Sequence, residues 1–537
     1  MGHSMYSALL VFILIKIVKF ICANELRHRT ENSDSLDGVF SKLLLRMPAA
    51  IFNQTIYTIN MEQEHTYDAI IIGAGLGGLL AAGRLALQGK RIVIIERLNH
   101  TGGRFTAKHF RGAQISTGAV HMLPFGSNGV LAAALRRLNI AQYVHDAKMF
   151  GSFHVHGKHI HAHSLLSIWK VFGARNIGHM LQLGYAMVLP QQKPEENSIT
   201  FAEWLDQQNI SREKHPEIVL FFERISHFAL SADLDQVSYL EIRKTFIQML
   251  RYGPPGIVHG GCKSVADALE AFVRSHGGIF LLEHMVTHIQ TQGKRVIGAQ
   301  IFNKRTGEVF TALAPLVISD IGPEPTMQLT ADAAESSDEQ FAPQIQSAAG
   351  LKTHVLVQSS VMDQNGIMYC LDTKRIAGVV QPSLSDPSLA PLGKHLLITH
   401  QIWRPERESI AQAREYALQD LEYLLGPRAN GTWEVLTMSQ YYDRWPVNRA
   451  VQGKDVKPET LYEGLYCVGD AVKPSGYLMV EGVAQSVNVL MDILDPAPTE
   501  TAAQKKNSSK LRALRWLIAP PPPHKMNGRA SAKSGDT

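Results

Sequence analysis

A glycine turn set between a strand and a helix constrains this chain more than any other feature. Tyr67 to Ile72 is a short apolar, β-branched run that reads as a buried parallel strand. Gly73-Ala74-Gly75-Leu76-Gly77-Gly78 follows at once. Leu79 to Gln88 then reads as a helix of small and apolar residues, stopped by Gly89, and Arg91 to Glu96 as a second buried strand. The order is that of a βαβ unit. Within the turn, Gly73 allows the tight bend, Gly75 lets backbone approach a pyrophosphate, and Gly78 lets the helix pack closely. The helix N-terminus stabilises phosphate charge. Glu96 lies 23 residues after Gly73, at the end of the second strand, where its carboxylate can accept hydrogen bonds from ribose hydroxyls. Together these features predict a bound dinucleotide rather than a bare glycine turn.

Two further glycine segments extend that site. Thr101-Gly102-Gly103-Arg104 offers backbone N–H groups and a guanidinium to the same phosphates. Gly464-Leu465-Tyr466-Cys467-Val468-Gly469-Asp470 reads as a strand whose end brings backbone and a carboxylate to a ribityl or phosphate group. Gly476 and Gly482 then permit backbone to lie close to a flat ring, and a helix expected from Glu481 turns its positive end toward it.

A middle block is also ordered. Ser264 to His276 reads as an amphipathic helix, and Ile279–Leu282, Met285–Gln290, Arg295–Phe302 and Leu316–Ser319 read as strands, the second and third joined by a hairpin turn at 291–294. Regions 120–258 and 326–458 look less regular and show no internal repeat.

Charge is unevenly spread. The chain of 537 residues carries +5, yet residues 497–537 hold eight basic and two acidic side chains and residues 1–60 hold six and four, leaving 61–496 at −3. The body is therefore slightly acidic and shows no nucleic-acid-binding character. Four cysteines, none in a C-x-x-C pair, suggest neither zinc nor a dithiol centre and suit a reducing compartment. In residues 1–60, apolar runs broken by Lys16 and Lys19 leave three readings open: an anchoring amphipathic segment, a signal or span, or a leader ahead of a fold starting near Met61. In the tail, Leu511 to Ile518 pairs an apolar side with cations, as an interfacial anchor requires, and a solvated tail is the other reading. Pro520 to Pro523 excludes helix there.

Taken together, these motifs resemble the flavin amine oxidase superfamily, most of all its phytoene desaturase, carotenoid isomerase and retinol saturase branch. The match runs through 67–125, 255–323 and 461–492. The resemblance implies an α/β fold in which a Rossmann-like FAD-binding domain (67–118, 257–325 and 459–493) is interleaved with a substrate-binding domain (119–256 and 326–458). A leader or membrane-associated segment (1–60) precedes it and a basic tail (497–537) follows. It implies FAD held by Gly73, Ala74, Gly75 and Gly78, by Glu96 at the adenosine ribose, and by Arg97, Gly103 and Arg104 along the pyrophosphate. Val286 stands at the family's adenine contact, and Gly469, Asp470, Gly482 and Val483 match its C-terminal flavin motif. Gly118 to His121 matches the stretch beside the isoalloxazine, although Ser116-Thr117 replaces a frequent acid.

The implied activity is hydride transfer between an apolar, carotenoid- or isoprenoid-like small molecule and flavin, as desaturase, saturase or isomerase. An amine oxidase releasing hydrogen peroxide is the alternative enzyme. A lipid-binding chaperone of Rab GDP-dissociation-inhibitor type is the alternative outside enzymes, disfavoured by the intact C-terminal motif. Tyr477, Glu481 and Lys473 lie in the flavin-facing motif, and none is assigned an acid–base role. No metal is expected: His154, His156, His159, His161 and His163 alternate, but Gly157-Lys158 at their centre reads as a hairpin turn. Tyr441, Tyr442 and Trp445 line either a substrate cavity or the core. The expected location is the cytoplasm, at a membrane surface or anchored to it.

Overall fold

Isoleucine and valine fill the short strands Ala69–Ile72 and Ile92–Glu96, and every residue in both is buried. Such runs are stable only when both sheet faces are covered. The computed structural model describes residues 65–118, 120–149, 151–161, 170–188, 199–330 and 345–496. In it these two strands are central in a five-stranded sheet, ordered Ile279–Leu282, Ile92–Glu96, Ala69–Ile72, Val317–Ser319, Leu465–Cys467. All four pairings are parallel. The carboxyl ends of four strands therefore gather on one edge and deliver Gly73, Glu96, Asp320 and Gly469 there, where open parallel sheets bind ligands.

Helix Leu76–Leu87 covers one face and packs against helix Gly261–Ser275. The first of these begins at Leu76 rather than at Leu79, so Gly77 and Gly78 are helical. A methyl group at Gly78 would collide with the Gly73 carbonyl, so close packing outweighs the poor helix propensity of glycine. The other face packs on a three-stranded antiparallel sheet of His284–Gln292, Arg295–Asn303 and Val309–Leu313.

The two regions expected to be less regular carry a seven-stranded sheet and several helices. The sheet runs Trp433–Tyr441, Gly350–Val357, His395–Ile402, Gly378–Val380, Ile367–Cys370, Gly151–Val155, Lys158–His161. It is antiparallel except where Ile367–Cys370 meets Gly151–Val155. Strands Gly350–Val357 and His395–Ile402 are buried at every residue but His395, so the polar residues in them mark no solvated face. Helices Ile177–Val188, Pro216–Ala229 and Tyr239–Tyr252 lie over residues of this sheet in one apolar core. The fold is mixed α/β, with the parallel and antiparallel sheets interleaved along the sequence.

Residues up to Val487 form one compact unit, and the chain from Asn488 onward forms a second. The leader, the basic tail and its apolar patch lie outside the described residues. Among the described residues, no helix is long and apolar enough to cross a membrane.

Candidate active site

The glycine segments, far apart in sequence, meet at the strand ends. Gly73 has φ +93°, a conformation that side chains rarely adopt. The amide of Gly102 donates to the Ala74 carbonyl at 2.7 Å, which lays the Thr101–Arg104 loop along the first turn. A Cβ on Gly103 would lie 3.6 Å from the Gly75 Cα, and a Cβ on Gly77 would lie 3.0 Å from the Gly469 Cα. Helix Leu76–Leu87 has Gly75 at its N-cap, no capping side chain on that residue and no acid in its first turn. Glu96, 6% exposed, accepts from the Ala74 amide at 2.7 Å and from the Leu98 amide at 2.9 Å, so its carboxylate is pinned to the turn. Arg97, the next residue, is exposed. Val286 is buried in the cluster with Ile70, Ile72, Val93 and Ile95.

Sequence reading missed two members of this site. Asp320, half-buried directly after strand Val317–Ser319, accepts from the Gly78 amide. Burial pushes its carboxyl up to about 7, against the pull of that amide and of Arg449 and Arg104. Arg449 comes from the connection between the two sheets, and burial, with Arg104 adding to it, lowers its guanidinium to about 10. Asp320 had only a partial signal, since it directly follows a strand as Gly73 does, but its glycine neighbours are set by the fold. Arg449 had none.

Arg104 donates to Asp470 at 2.6 Å and to the carbonyls of Pro446 and Val447, each at 2.9 Å. Asp470 also accepts from the Arg449 amide at 2.9 Å and from Lys473 Nζ at 2.7 Å. Lys473, a member of the proposed flavin-facing loop, is buried and spans Asp470 and Asp455. Gly482 is required beneath it, because a Cβ there would lie 2.8 Å from the Lys473 Cδ. Val483 is buried one position further on. Glycine amides, a helix N-terminus whose N-cap residue has no capping side chain, and the charges of Arg97, Arg104 and Arg449 make a donor set suited to a pyrophosphate, so these residues fit a dinucleotide cofactor.

Beside this cradle lies a buried group of titratable residues. A Cβ on Gly118 would crowd Arg104, so the stretch after Thr117 runs tight against it. His121, with φ +59°, accepts from the Cys262 amide at Nδ1, and its Nε2 donates to the Gln114 carbonyl. Burial lowers it to about 4. His354 Nε2 meets Ser116 Oγ at 3.0 Å, and burial lowers this ring to about 3. Both imidazoles are therefore neutral. Lys352, two residues before His354 in strand Gly350–Val357, is 5% exposed with its Nζ 5.0 Å from the centre of the Tyr441 ring. Burial, then Arg104, lowers it to about 7.

Two other aromatic residues separate from this group. Tyr442 is half exposed, and Trp445 donates to the Thr117 carbonyl at 3.3 Å. Glu481 is two residues into helix Met479–Leu494. It accepts from the amides of Phe125 and Leu131 and so satisfies the start of helix Val130–Arg137. The histidine run up to His161 forms the expected hairpin, with His156-Gly157 at its turn, and His163 lies outside the described residues; His159, His161 and Asp363 bring their ligand atoms within 4.8 Å of one another on its surface.

An apolar cavity of about 290 Å³ opens between the seven-stranded sheet and the helices over it. Phe153 and Tyr369 come from the sheet, and Phe221, Phe228 and Phe246 from helices Pro216–Ala229 and Tyr239–Tyr252. Leu478 and Met479, at the start of the final helix, also line it. Among the described residues, no lining residue is charged.

Comparison with known proteins agrees with this geometry. The description of flavin containing amine oxidoreductases matches residues 76–486. An uncharacterised protein of Methanocaldococcus jannaschii is 30% identical over 420 residues, covering 78% of this chain and 96% of that one. The crystal structure of an oxidoreductase from Methanosarcina mazei superposes with a TM-score of 0.71 at 32% identity, covering 79% of this chain and 99% of that one. Prolycopene isomerase 1, a chloroplastic protein of an Oncidium hybrid cultivar, is 24% identical over 535 residues, covering 85% of this chain and 89% of that one. A match that takes in the seven-stranded sheet, four of the five parallel strands and every glycine segment but the first turn's opening residues leaves one assignment: the chain is an oxidoreductase of the flavin containing amine oxidoreductase family.

Proposed function

We propose that the cofactor is FAD and that the chain moves a hydride between an apolar, isoprenoid-like substrate and the flavin, as a desaturase, saturase or isomerase. The uncharged aromatic cavity that Leu478 and Met479 also line carries this reading. A protonated amine entering it would lose its hydration with no carboxylate to replace it, which costs several kcal/mol, whereas a polyene loses nothing. Similarity to a prolycopene isomerase across most of both chains supports the same substrate class.

In this proposal the FAD-binding domain is 67–118, 257–325 and 459–493, and 119–256 with 326–458 binds substrate. Gly73, Ala74, Gly75, Gly78 and Gly103 bring amides to the pyrophosphate, with Arg97 and Arg104 supplying charge. Glu96 takes the ribose hydroxyls, Val286 the adenine, and Gly469, Asp470, Gly482 and Val483 the flavin end. Bound flavin supplies the two-electron acceptor or donor that side chains lack. The protein's part is to orient the substrate between the Phe221 and Phe246 walls, to exclude water, and to hold a proton at Lys352 Nζ.

The direct test is anaerobic mixing of the holoenzyme with apolar polyenes, with simple amines and with NADPH. Flavin bleaching by a polyene is the expected result, or, in the saturating direction, bleaching by NADPH and recolouring by a polyene. Bleaching by amines alone, with peroxide formed in air, would overturn it. A protein without flavin absorbance after denaturation would point to a lipid-binding chaperone.

Such substrates dissolve in bilayers, so we place the enzyme in the cytoplasm at a membrane surface, touched by the +6 tail. The full chain is expected to sediment with anionic vesicles and a chain ending at Asp495 to stay in solution. Equal sedimentation of the two would remove the tail from this role.

A further inference from the structure

The cradle that fits a pyrophosphate already contains an anion of the chain's own. A Cβ on Gly77 would lie 2.6 Å from Asp320 Oδ1, and one on Gly75 or Gly469 would be closer still to the same carboxyl. Both oxygens thus fill the space shared by the first glycine turn and the C-terminal glycine motif. The carboxyl accepts from the Gly78 amide in the first turn of helix Leu76–Leu87, where a phosphate oxygen would otherwise accept. A dianionic pyrophosphate and an ionised carboxylate cannot share this space without a repulsive cost.

We propose that Asp320 is a resident occupant of the phosphate site, capping the helix in the empty protein, and that FAD enters only with the Asp320 carboxyl protonated, so that loading takes up one proton. This rests on the FAD reading above. The groups acting on Asp320 come from each element around it: Arg449 from the inter-sheet connection, Arg104 from the second glycine loop, and Glu96 from the end of strand Ile92–Glu96, beyond strand Ala69–Ile72. Cys467, on the strand at the other side, is pushed by burial up to about 12 and stays neutral. Asp320 itself titrates near 7, so both of its forms are populated around neutral pH. Lys352 and Glu481 also titrate near 7, but neither is among the groups that act on Asp320.

The sign follows directly. The neutral fraction of a carboxyl titrating near 7 falls about thirtyfold between pH 6 and pH 8.5. FAD affinity should fall by about the same factor over that interval. FAD-loaded full-length protein is diluted at about pH 6 and about pH 8.5, and released flavin is read by its fluorescence. Wild type should bind about thirtyfold more weakly at the higher pH. Asp320→Asn keeps the shape without the titration, so its affinity should change less than about threefold and exceed that of wild type at high pH. A flat wild-type profile, or the same slope in Asp320→Asn, would overturn the proposal.

A second measurement needs no variant. Calorimetric titration of FAD into flavin-stripped full-length protein at about pH 8, in buffers of different ionisation heat, should show uptake of about one proton per FAD. No uptake would overturn it. Failure of wild type to bind FAD at either pH would instead sink the FAD reading, and this inference with it.

Discussion

Asp470→Ala is expected to destabilise the protein by about 3 to 5 kcal/mol and to strip its flavin, because it leaves buried cations without their partner. Asp470 holds Lys473 at 2.7 Å, Arg104 at 2.6 Å and the Arg449 amide at 2.9 Å. Burial alone would raise the Asp470 carboxyl, yet Lys473 and Arg104 hold it well below the usual carboxylate range. Without it, Lys473, 3% exposed, keeps only Asp455. The aliphatic stem of Lys473 also supports Gly482, so the loss spreads into the C-terminal glycine loop.

Urea denaturation near pH 7 measures the stability and the flavin-to-protein absorbance ratio measures the cofactor. Since the folded carboxyl titrates lower than the unfolded one, its contribution is present above about pH 4 and is lost as pH falls below that. The gap between wild type and variant should therefore narrow in acid. A variant within about 1 kcal/mol of wild type at neutral pH would show that the network contributes no more than a surface pair does.

Much of this network was invisible in the sequence for a physical reason. Gly73, Gly75 and Gly469 declare themselves because the backbone conformation or approach they allow is local, and Glu96 because one strand sets its distance from the turn. Asp320 depends on three turns that meet only after folding. Its neighbours Gly75, Gly77 and Gly469 lie some 150 to 245 residues away along the chain. Lys352 is harder still. The alternation in Gly350–Val357 (Gly-Leu-Lys-Thr-His-Val-Leu-Val) looks like a strand with one solvated face. The sheet has strands on both sides of it and helices above, so lysine and histidine are buried with the valines.

Glu481 shows the opposite case. By resemblance it lies in the C-terminal flavin motif, but its carboxylate faces the start of a helix 350 residues earlier, a partner that no spacing rule supplies. The same limit hid the apolar cavity. Its aromatic residues come from two helices and two strands whose adjacency is a property of the fold, and a phenylalanine in sequence looks the same whether it fills a core or lines a void.

Lys352→Met should slow flavin reduction by the substrate by about a hundredfold or more, the range over which a positioned acid–base group acts, while flavin content stays at the wild-type level. The lysine meets the Tyr441 ring, and among the described residues it forms no salt bridge. Desolvation lowers its amine to about 7, so near neutral pH it can both take and give a proton. Cys262, which acts on it electrostatically, donates its amide to His121 in the stretch that resembles the family's ring-side segment. Neither His121 nor His354 can substitute, since burial keeps both neutral far below physiological pH.

In the desaturating direction a proton leaves the substrate, so the neutral amine is the active form and the rate should rise with pH to a plateau above about 7. In the saturating direction the ammonium is active and the profile reverses. The variant should lose this inflection in either case. Stability separates chemistry from damage: methionine removes the cost of burying an amine whose folded value is depressed, so the variant should melt no lower than wild type at pH 7. A reduction rate within about threefold of wild type, or an unchanged pH profile, would exclude Lys352 as the proton-holding group and leave substrate orientation and the flavin to account for the rate.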